Sequence, residues 1–562
     1  MQASAAHMKF ALPAVRRSAG LRTWIIFSVL ASPSLFLLFT CPPLWRDTDG
    51  FNQIASTFAP QGIIHWLPGY CLFGRLIMIL GGVAGSVLSG HGIPYLSIGT
   101  PTLNDVGIYT LIVFQHAFLI ASLWYLIQAL TDRFWLKLLF AGFLVLTPWL
   151  YLFAHCIGSE AFSNPLVILT LAAGWKCLKL PSPSRQPVGV FFLFLLSALL
   201  TRQINGVLVV ALPLTLLILT GIYRFQSFAR TSVSPTEPWR NRNANLSGGL
   251  SAVASAKKEA SAKSERHPLS WQFFARKFAL FLGLGMLALV GSIAIQMAMC
   301  WVFRVPYRTT FGRTFEWRLR YLASLSADDR TRLFNRVSTQ LKDPMLTSAL
   351  TALNDSLGRD PDWTPLFLFQ NLDAQFESAG VTNWQIRAYN ADLKLNRLAR
   401  HFILPPEPNY LHAVWTDFSR APFVSQADLS RSPFETKTGL QSELGGPRYA
   451  RLRSMATFQY NPSFFTHIPE RIPYFNVLVG IPMLFIAGAA ILFAASAWVF
   501  GRRDGETIVG TAYIGTLIGL GFLFALGNCA STNFDARYFM PVYACFQIAL
   551  MLAVSILVRR CR

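Results

Sequence analysis

The sequence predicts an all-α integral membrane protein that crosses the bilayer about ten times and carries one mostly helical extracytoplasmic domain. Three observations lead to this fold class. Hydrophobic residues make up 53% of the 562 positions, only 14% are charged against about 25% in an ordinary soluble domain, and mean hydropathy is +0.41. Apolar runs of about 18 residues or more are long enough to cross about 30 Å of hydrocarbon. One long polar stretch, 303–473, interrupts these runs late in the chain.

The distribution of basic residues orients the apolar segments, because cytoplasmic loops of membrane proteins carry an excess of Lys and Arg. The N-terminal stretch 1–23 holds four basic residues and no acidic one, and the stretch 223–277 holds ten Lys and Arg against three Glu. Both are predicted to be cytoplasmic, together with Arg502, Arg503 and the closing residues 559–562. The apolar segments lie at 24–41, 70–89, 106–130, 134–153, 161–178, 188–201, 204–222, 278–302, 475–500, 507–528 and 539–558.

Ten crossings satisfy all of these placements, provided that segment 70–89 does not cross. This segment contains Arg75 and four glycines, which weaken it as a spanning helix, and we expect it to lie along the membrane surface or to dip into it. An alternative topology makes 70–89 a span and joins 188–222 into one. The joined run would place Arg202 near the bilayer centre, where a charge is costly, so the first topology is preferred.

The same patterns divide the chain into a membrane part with two polar stretches inserted. The basic stretch 223–277 is rich in Ser, Ala, Asn and Pro and is predicted to be disordered. The stretch 303–473 mixes charges of both signs with helical periodicity and is long enough to bury a core of its own. The predicted division is a cytoplasmic N-terminus 1–23, a membrane domain 24–222 with its first outer loop at 42–105, the linker 223–277, a transmembrane helix 278–302, the soluble domain 303–473 and C-terminal transmembrane helices 474–562.

The net charge of +22 is accounted for by the cytoplasmic loops, which meet anionic lipid headgroups. No zinc-finger, RNP or helix-turn-helix signature accompanies this charge, so the expected partners include membrane lipids and exclude nucleic acid. The eight cysteines lie in or beside apolar segments and form no CxxC pair. They are predicted to be small packing residues, and neither disulfide spacing nor metal-ligand spacing is evident.

The preferred topology brings acidic and basic residues to one face of the membrane, the extracytoplasmic one. A carboxylate there can deprotonate a hydroxyl or hold a divalent metal, and an arginine can bind a phosphate through two hydrogen bonds. Together they suit the transfer of a group from a lipid phosphate to an acceptor. The competing interpretation is that each caps a helix or anchors it at the interface. The residues concerned are Asp47, Asp49, Glu160, Arg202, Asp535 and Arg537.

Five short motifs follow one another along the chain. They are Trp45-Arg46-Asp47-Thr48-Asp49-Gly50, His65-Trp66-Leu67-Pro68-Gly69-Tyr70, Gly158-Ser159-Glu160-Ala161-Phe162, Leu200-Thr201-Arg202-Gln203-Ile204-Asn205-Gly206 and Asp535-Ala536-Arg537-Tyr538-Phe539-Met540-Pro541. This series resembles the GT-C superfamily of polyprenyl-phosphate-sugar-dependent glycosyltransferases, in particular the bacterial branch akin to protein mannosyltransferases and lipid A aminoarabinose transferases. The resemblance covers about 24–222 and 475–558 and leaves out the soluble domain.

The resemblance implies roles for these residues. Asp47 or Asp49 would act as the base on the acceptor hydroxyl, and Glu160 would complete the acidic site; the same three carboxylates could instead hold a divalent cation. The sugar would be attacked in line with inversion, because no covalent nucleophile is evident. Two features depart from the family: the acidic pair is Asp-Thr-Asp instead of Asp-Glu, and the motif of His65 has a single proline. Binding of the donor and its lipid phosphate is assigned to His65, Tyr70, Arg202, Asn205, Arg537 and Tyr538.

The resemblance also implies a location and partners. The chain would lie in a bacterial inner membrane with its active site facing the periplasm, where a polyprenyl-phosphate-linked sugar meets an acceptor of unknown kind. Two other functions stay open. A transporter or flippase of lipid-linked sugars would need charges within the spans and internal symmetry, whereas the charges here lie at span ends. A membrane assembly protein would use the soluble domain to bind a partner.

Overall fold

The computed structural model describes most of the chain, with gaps. Every structural statement below concerns the described residues alone. They are 11–40, 44–45, 53, 67–88, 105–180, 184–232, 271–307, 309–359, 366–404, 406–435, 480–500, 505–532 and 534–560.

The described residues up to Val302 form nine helices and one pair of very short strands. The apolar helices satisfy their own backbone hydrogen bonds, which a chain in hydrocarbon requires. A 3₁₀ segment, Gln203–Val210, continues the seventh helix after a break at Arg202. The elements are α1 (Ala11–Thr40), β1 (Leu44–Trp45), α2 (Pro68–Leu88), α3 (Asp105–Leu130), α4 (Phe134–Val145), α5 (Pro148–Ala154), β2 (Cys156–Ile157), α6 (Glu160–Lys179), α7 (Arg185–Thr201), α8 (Ala211–Ser232) and α9 (Trp271–Val302).

The described residues of the polar insertion form helices joined by short turns, and three further helices follow them in the described chain. Its core includes Phe315, whose ring centre lies 6.1 Å from that of Phe402 and 5.6 Å from that of Tyr410. Three 3₁₀ segments, Leu319–Ser324, Ala421–Phe423 and Ala536–Phe539, connect helices. The helices are α10 (Phe311–Arg318), α11 (Ala327–Leu341), α12 (Pro344–Arg359), α13 (Phe367–Ser378), α14 (Trp384–Ile403), α15 (Pro408–Arg420), α16 (Gln426–Glu435), α17 (Met483–Phe500), α18 (Gly505–Ser531) and α19 (Met540–Arg560).

The predicted fold class, an all-α polytopic membrane protein, is confirmed. Within the described ranges, eight helices are long and apolar enough to cross a membrane. Helices α4 and α5 add a ninth span if the two are counted together; they meet at 67°, since Pro148 excludes the preceding residue from the helix. Helices α7 and α17 are apolar but shorter. The figure of about ten crossings stays a prediction.

Ion pairs hold several helix termini together at one end of the bundle, called here the basic end. Glu506, at the start of α18, pairs with Lys179 at 3.2 Å and also with Arg559. Arg133 donates a hydrogen bond of 2.8 Å to the carbonyl oxygen of Val558. The helix ends that meet here are the ones that the charge distribution predicts to be cytoplasmic.

The opposite end gathers the segments that carry the motifs. Strand β1 pairs in parallel with β2, so that Trp45 lies beside Ile157. Helix α1 begins near the basic end, since the Arg22 guanidinium lies 5.4 Å from the ring centre of Phe134. It runs from there to the end that carries β1. The described residues of the motifs therefore share one end of the bundle, as the orientation argument expects.

Helix α2 packs beside one half of α3 only. The Tyr70 hydroxyl donates to Gln115 Oε1 at 3.1 Å, and a Cβ on Gly85 would lie 2.7 Å from Val106. The other half of α3 leads to Leu130, whose carbonyl oxygen accepts a bond from Arg559 at the basic end. Helix α2 thus stays beside the part of α3 away from the basic end. It is nevertheless one of the eight helices that are long and apolar enough to cross a membrane, so its predicted place along the membrane surface stays a prediction.

The soluble domain, 303–435 in the described chain, sits on the end of the bundle that carries the motifs. The Tyr410 hydroxyl donates to the carbonyl oxygen of Ala530 at 2.9 Å, and the ring of Phe418 lies 6.3 Å from that of Phe522. The Met483 N–H donates to Val424 O at 3.0 Å. These contacts fix the domain over α18, close to the segment before α19.

The two ends of the predicted linker 223–277 are helical. Helix α8 continues to Ser232 and α9 begins at Trp271. The residues between them, 233–270, lie outside the described residues, as do 436–479 of the predicted soluble domain.

Candidate active site

A cavity of about 390 Å³ opens at the end of the bundle that carries the motifs. Four of the predicted binding residues line it, and so do side chains of the soluble domain. The cavity is therefore built between the membrane part and the soluble domain. The lining includes Gln53, Tyr70, Ser159, Arg202, Asn528, Arg537 and Tyr538 from the membrane part and Thr310, Phe311 and Thr314 from the polar insertion.

Arg202 reaches the cavity from a break in the helical backbone. Its backbone is extended, with φ −148° and ψ 137°, between α7 and the 3₁₀ segment. Its Nη1 lies 2.9 Å from Oε1 of Glu160, the first residue of α6. Glu160 is 1% exposed and is not among the lining residues, so its carboxylate lies behind the arginine. The helix N-terminus stabilises this negative charge, and the pair fixes the direction of Arg202.

Arg537 is fixed by its own short turn. Asp535 caps the 3₁₀ segment by accepting a hydrogen bond of 3.0 Å from the Arg537 N–H. The same carboxylate pairs with Arg537 Nε at 2.8 Å, and Nη2 donates to the hydroxyl of Tyr538 at 3.0 Å. The motif that enters α19 therefore folds into a rigid cap that presents a guanidinium to the cavity.

Both guanidinium groups meet at the ring of Tyr538. The Cζ of Arg537 lies 4.9 Å from the ring centre and that of Arg202 lies 5.7 Å from it. Cations at these distances are attracted to the face of an aromatic ring. Each guanidinium carries five N–H donors and is held in place by a carboxylate, Arg202 by Glu160 and Arg537 by Asp535. Two guanidiniums oriented in this way beside one cavity suit the binding of an oxyanion.

Tyr70 is a lining residue of the cavity with no solvent-exposed surface. Its hydrogen bonds hold the backbone that precedes Glu160 in place. Its hydroxyl accepts a hydrogen bond of 2.9 Å from the Gly158 N–H, and it donates to Gln115. Gln115 in turn donates to the carbonyl oxygens of Ala154 and Cys156, both at 2.9 Å. The hydroxyl thereby fixes the turn between β2 and α6.

Asn205 is buried and is not among the lining residues. Its Nδ2 donates to Ser163 Oγ at 3.0 Å and to Ala198 O at 2.8 Å. These bonds tie the 3₁₀ segment to α6 and α7. The position suits a residue that supports Arg202, and the predicted contact with substrate stays a prediction.

Asp47, Asp49 and His65 lie outside the described residues, so their predicted roles stay predictions. Two parts of the same loop are described and reach the site. Trp45 pairs with Ile157, and Gln53 accepts a hydrogen bond of 2.9 Å from the Ser159 N–H. The acidic pair lies in the sequence between these two anchors.

No cluster of three or more His, Cys, Asp or Glu side chains suited to a metal ion is found among the described residues. The cation site predicted from Asp47, Asp49 and Glu160 includes two residues beyond the described chain. Glu160 Oε1 is engaged by Arg202. The carboxylate is thus already neutralised by a guanidinium, a charge environment less favourable to a divalent ion.

Several lining residues do not belong to the predicted set. Asn528 is a polar residue at the end of an apolar run, and the sequence could have indicated it, because a polar side chain near a span end needs a partner. Gln53 lies in the first outer loop, well away from any apolar run, and has no such signal. Thr310, Phe311 and Thr314 follow a predicted span with no distinctive pattern. They reach the cavity only because the soluble domain docks on the bundle.

Comparison with known proteins gives no relative. No family profile matches the chain, and neither the curated proteins nor the solved structures searched contain a significant match. The geometry described above and the motif resemblance are therefore the observations that bear on function.

Proposed function

We propose that this protein is a membrane glycosyltransferase that moves a sugar from a polyprenyl-phosphate carrier to an extracytoplasmic acceptor. The observation that carries the proposal is the cavity in which Arg202, Arg537 and Tyr538 meet. These residues come from two motifs far apart in the chain, and the fold brings both guanidiniums to one aromatic ring.

The two arginines suit the phosphate of the carrier. A phosphate gains charge when the bond to the sugar breaks, and guanidinium groups already in position stabilise that charge without reorganising. The buried ion pair between Glu160 and Arg202 supplies this preorganisation. We assign Glu160 a positioning role through Arg202, in addition to the acidic role that the motif resemblance implies.

The acceptor would be activated from the first outer loop. In the proposed reaction a carboxylate of Asp47 or Asp49 takes the proton of the acceptor hydroxyl, and the hydroxyl oxygen bonds to the anomeric carbon. The bond from that carbon to the phosphate oxygen breaks, and the phosphate leaves on its lipid. The anchors at Trp45 and Gln53 support this assignment, because both tie the loop to the chain beside Glu160.

Binding of the carrier tests the arginines directly. The purified protein in nanodiscs is titrated with a photoreactive polyprenyl phosphate, and crosslinking yield gives the affinity. Arg202→Gln and Arg537→Gln should each lower affinity about tenfold or more, since a charged hydrogen bond contributes about 1.5–3 kcal/mol. Arg559→Gln is the matched control, because this arginine is also paired with a glutamate but lies at the basic end. Unchanged affinity in both cavity variants would remove the proposed phosphate site.

Transfer itself tests the first outer loop. Asp47→Asn with Asp49→Asn should bind the carrier normally and lose transfer of sugar from a labelled polyprenyl-phosphate donor in membrane vesicles. Wild-type transfer by this variant would exclude these carboxylates as the base. Movement of the labelled carrier across the bilayer with no transfer, in the wild type, would support a flippase instead.

A further inference from the structure

Helix α15 of the soluble domain extends from the end of the bundle along the side of the apolar helix α18. At the start of α15 the Tyr410 hydroxyl donates to the carbonyl oxygen of Ala530. About two turns further along α15, the ring of Phe418 lies 6.3 Å from that of Phe522, which precedes Ala530 on α18 by the same number of turns. The two helices therefore run antiparallel, side by side, over a length of about 12 Å.

This contact places the second half of α15 at the depth of the hydrocarbon layer. Glu506, whose ion pairs lie at the basic end, marks one polar end of α18. A layer of about 30 Å takes about 20 helical residues, so it ends near residue 527, beside the polar Asn528. Phe522 then lies about 8 Å inside this boundary, whereas Tyr410 lies at the level of the headgroups.

A second contact gives the same depth independently. The N–H of Met483, the first residue of α17, donates to the carbonyl oxygen of Val424 at 3.0 Å, and a β-bridge joins Ser425 to Pro482. Helix α17 has 18 residues and no charged one, so it is about 27 Å long and no longer than the hydrocarbon is thick. The chain that follows α15 is thus attached to the end of an entirely apolar helix, at the edge of the hydrocarbon.

Large apolar side chains of the stretch 411–423, called here the interfacial segment, point away from the protein. Trp415 is 66% exposed, Phe423 is 62% exposed and Leu411 is exposed as well. Leu411 and Trp415 are one turn apart and share a face of α15. In the stretch of α18 that α15 accompanies, Leu523 and Leu526 are also exposed, as expected for a helix that faces lipid. The apolar surface of the bundle therefore continues onto the soluble domain.

The charges of the interfacial segment are compatible with lipid. It contains two charged residues, Asp417 and Arg420. Asp417 is neutralised by its ion pair with Arg318 of α10. Arg420 is exposed at the end of α15, and a long side chain of this kind extends its guanidinium to the headgroup phosphates while its stem contacts apolar surface. Tryptophan is itself enriched at the membrane interface.

We propose that the interfacial segment is inserted into the lipid leaflet on the side of the soluble domain, with Trp415 and Phe423 in contact with acyl chains. The partner of this surface is the lipid bilayer. Because Asp417 pairs with Arg318 of α10, and α10 lines the candidate active site, the insertion also holds α10 over the cavity. The inference rests on the membrane fold alone and does not depend on the proposed transferase activity.

Fluorescence quenching by lipids tests this contact. Cys41 and Cys561 are replaced by serine in the full-length protein, which leaves the buried cysteines of the described chain, and Trp415→Cys or Phe423→Cys then receives a bimane label. The labelled protein is placed in phosphatidylcholine nanodiscs with or without a lipid that carries a nitroxide on its acyl chain. At both positions the nitroxide lipid should cause a clear loss of emission, and iodide in the water should cause little.

Ile386→Cys is the matched control. Ile386 is an exposed apolar residue of the same domain, but it lies at the start of α14, the opposite end of that helix from α15. Its label should be quenched by iodide and not by the nitroxide lipid. All three substitutions change exposed side chains, so each labelled variant should keep the wild-type melting temperature.

Three results would overturn the proposal. Quenching of both interfacial positions by iodide, with none by the nitroxide lipid, would place the segment in water. Resistance to both quenchers would mean that protein covers it, either residues 436–479 or a second copy of the chain. Quenching of the Ile386 position by the nitroxide lipid as strong as that of the Trp415 position would mean that the contact is not specific to the interfacial segment.

Discussion

At the scale of single residues, one buried carboxyl group makes the soluble domain sensitive to pH. Glu316, on α10, accepts hydrogen bonds from the N–H groups of Leu368 at 2.6 Å and Phe369 at 3.3 Å, at the start of α13. Burial raises the pKa of Glu316 from 4.5 to about 7, although these bonds favour the charged form. The group therefore links the packing of α10 on α13 to protonation.

The folded domain should lose stability as the pH rises from about 4.5 to about 7. Over this range the folded state holds a proton that the unfolded state has released, so stability falls with pH and then levels off. The effect amounts to about 3 kcal/mol at most. Hydrogen exchange of residues 367–378 in the full-length protein, at pH 5 and pH 8, measures it.

The variant Glu316→Gln cannot ionise and should show nearly the same protection at both pH values. Glu377→Gln is the control, because Glu377 is an exposed carboxylate near the end of α13, the helix whose exchange is measured. It should keep the wild-type pH dependence. A pH dependence in Glu316→Gln equal to that of the wild type would assign the effect to another group.

At the scale of helices, α10 connects the soluble core to the candidate active site. Phe311 and Thr314 line the cavity, while Gly312 packs directly on the backbone of α14. A Cβ at Gly312 would lie 2.3 Å from the backbone nitrogen of Asn396 and from the carbonyl carbon of Leu395. The Gly312 N–H also donates to Asn396 Oδ1 at 2.7 Å. This contact with α14 fixes the position of α10 relative to the cavity that Phe311 and Thr314 line.

Gly312→Ala should separate α10 from α14 and destabilise the domain by about 1–3 kcal/mol, because backbone atoms cannot yield to the added methyl group. The melting temperature of the purified protein and the rate of tryptic cleavage within 303–435 measure the loss. Gly142→Ala is the control: its new methyl group meets open space within α4, and alanine is the better helix former. A Gly312→Ala variant as stable as the wild type would contradict the tight contact.

At the scale of the whole molecule, the described motif residues and the ion pairs of the basic end lie at opposite ends of one helical bundle. Lys179, Glu506 and Arg559 meet at the basic end. Arg202 and Arg537 meet at the other end, under the soluble domain. In a membrane, the positive-inside rule predicts that the basic end faces the cytoplasm and the cavity faces outward.

Labelling of single cysteines in intact cells tests this orientation. A cysteine at Gln340, exposed on the soluble domain, should react with an impermeant maleimide, and one at Arg185 should react only after permeabilisation. The six cysteines in the described chain are buried, and Cys41 and Cys561 are replaced by serine to remove background. Labelling of the Arg185 position from outside would invert the topology and place the cavity in the cytoplasm.

The outline of the membrane part could be predicted from the sequence, because burial in hydrocarbon imposes a length and a composition on each helix. Charge counting also anticipated that Glu160, Arg202 and Arg537 lie at one end, since each loop obeys the same electrostatic bias independently of its neighbours. Local sequence patterns were sufficient to predict both the membrane helices and the end of the bundle at which these charged residues lie. The motif at Asp535 could likewise be recognised locally, because Asp535 caps the turn that holds Arg537.

Only the tertiary structure decided how these groups meet. The bond between Arg202 and Glu160, the shared ring of Tyr538 and the contribution of Phe311 all join segments that are distant in sequence. No periodicity encodes such contacts, because they depend on how whole helices and the soluble domain pack.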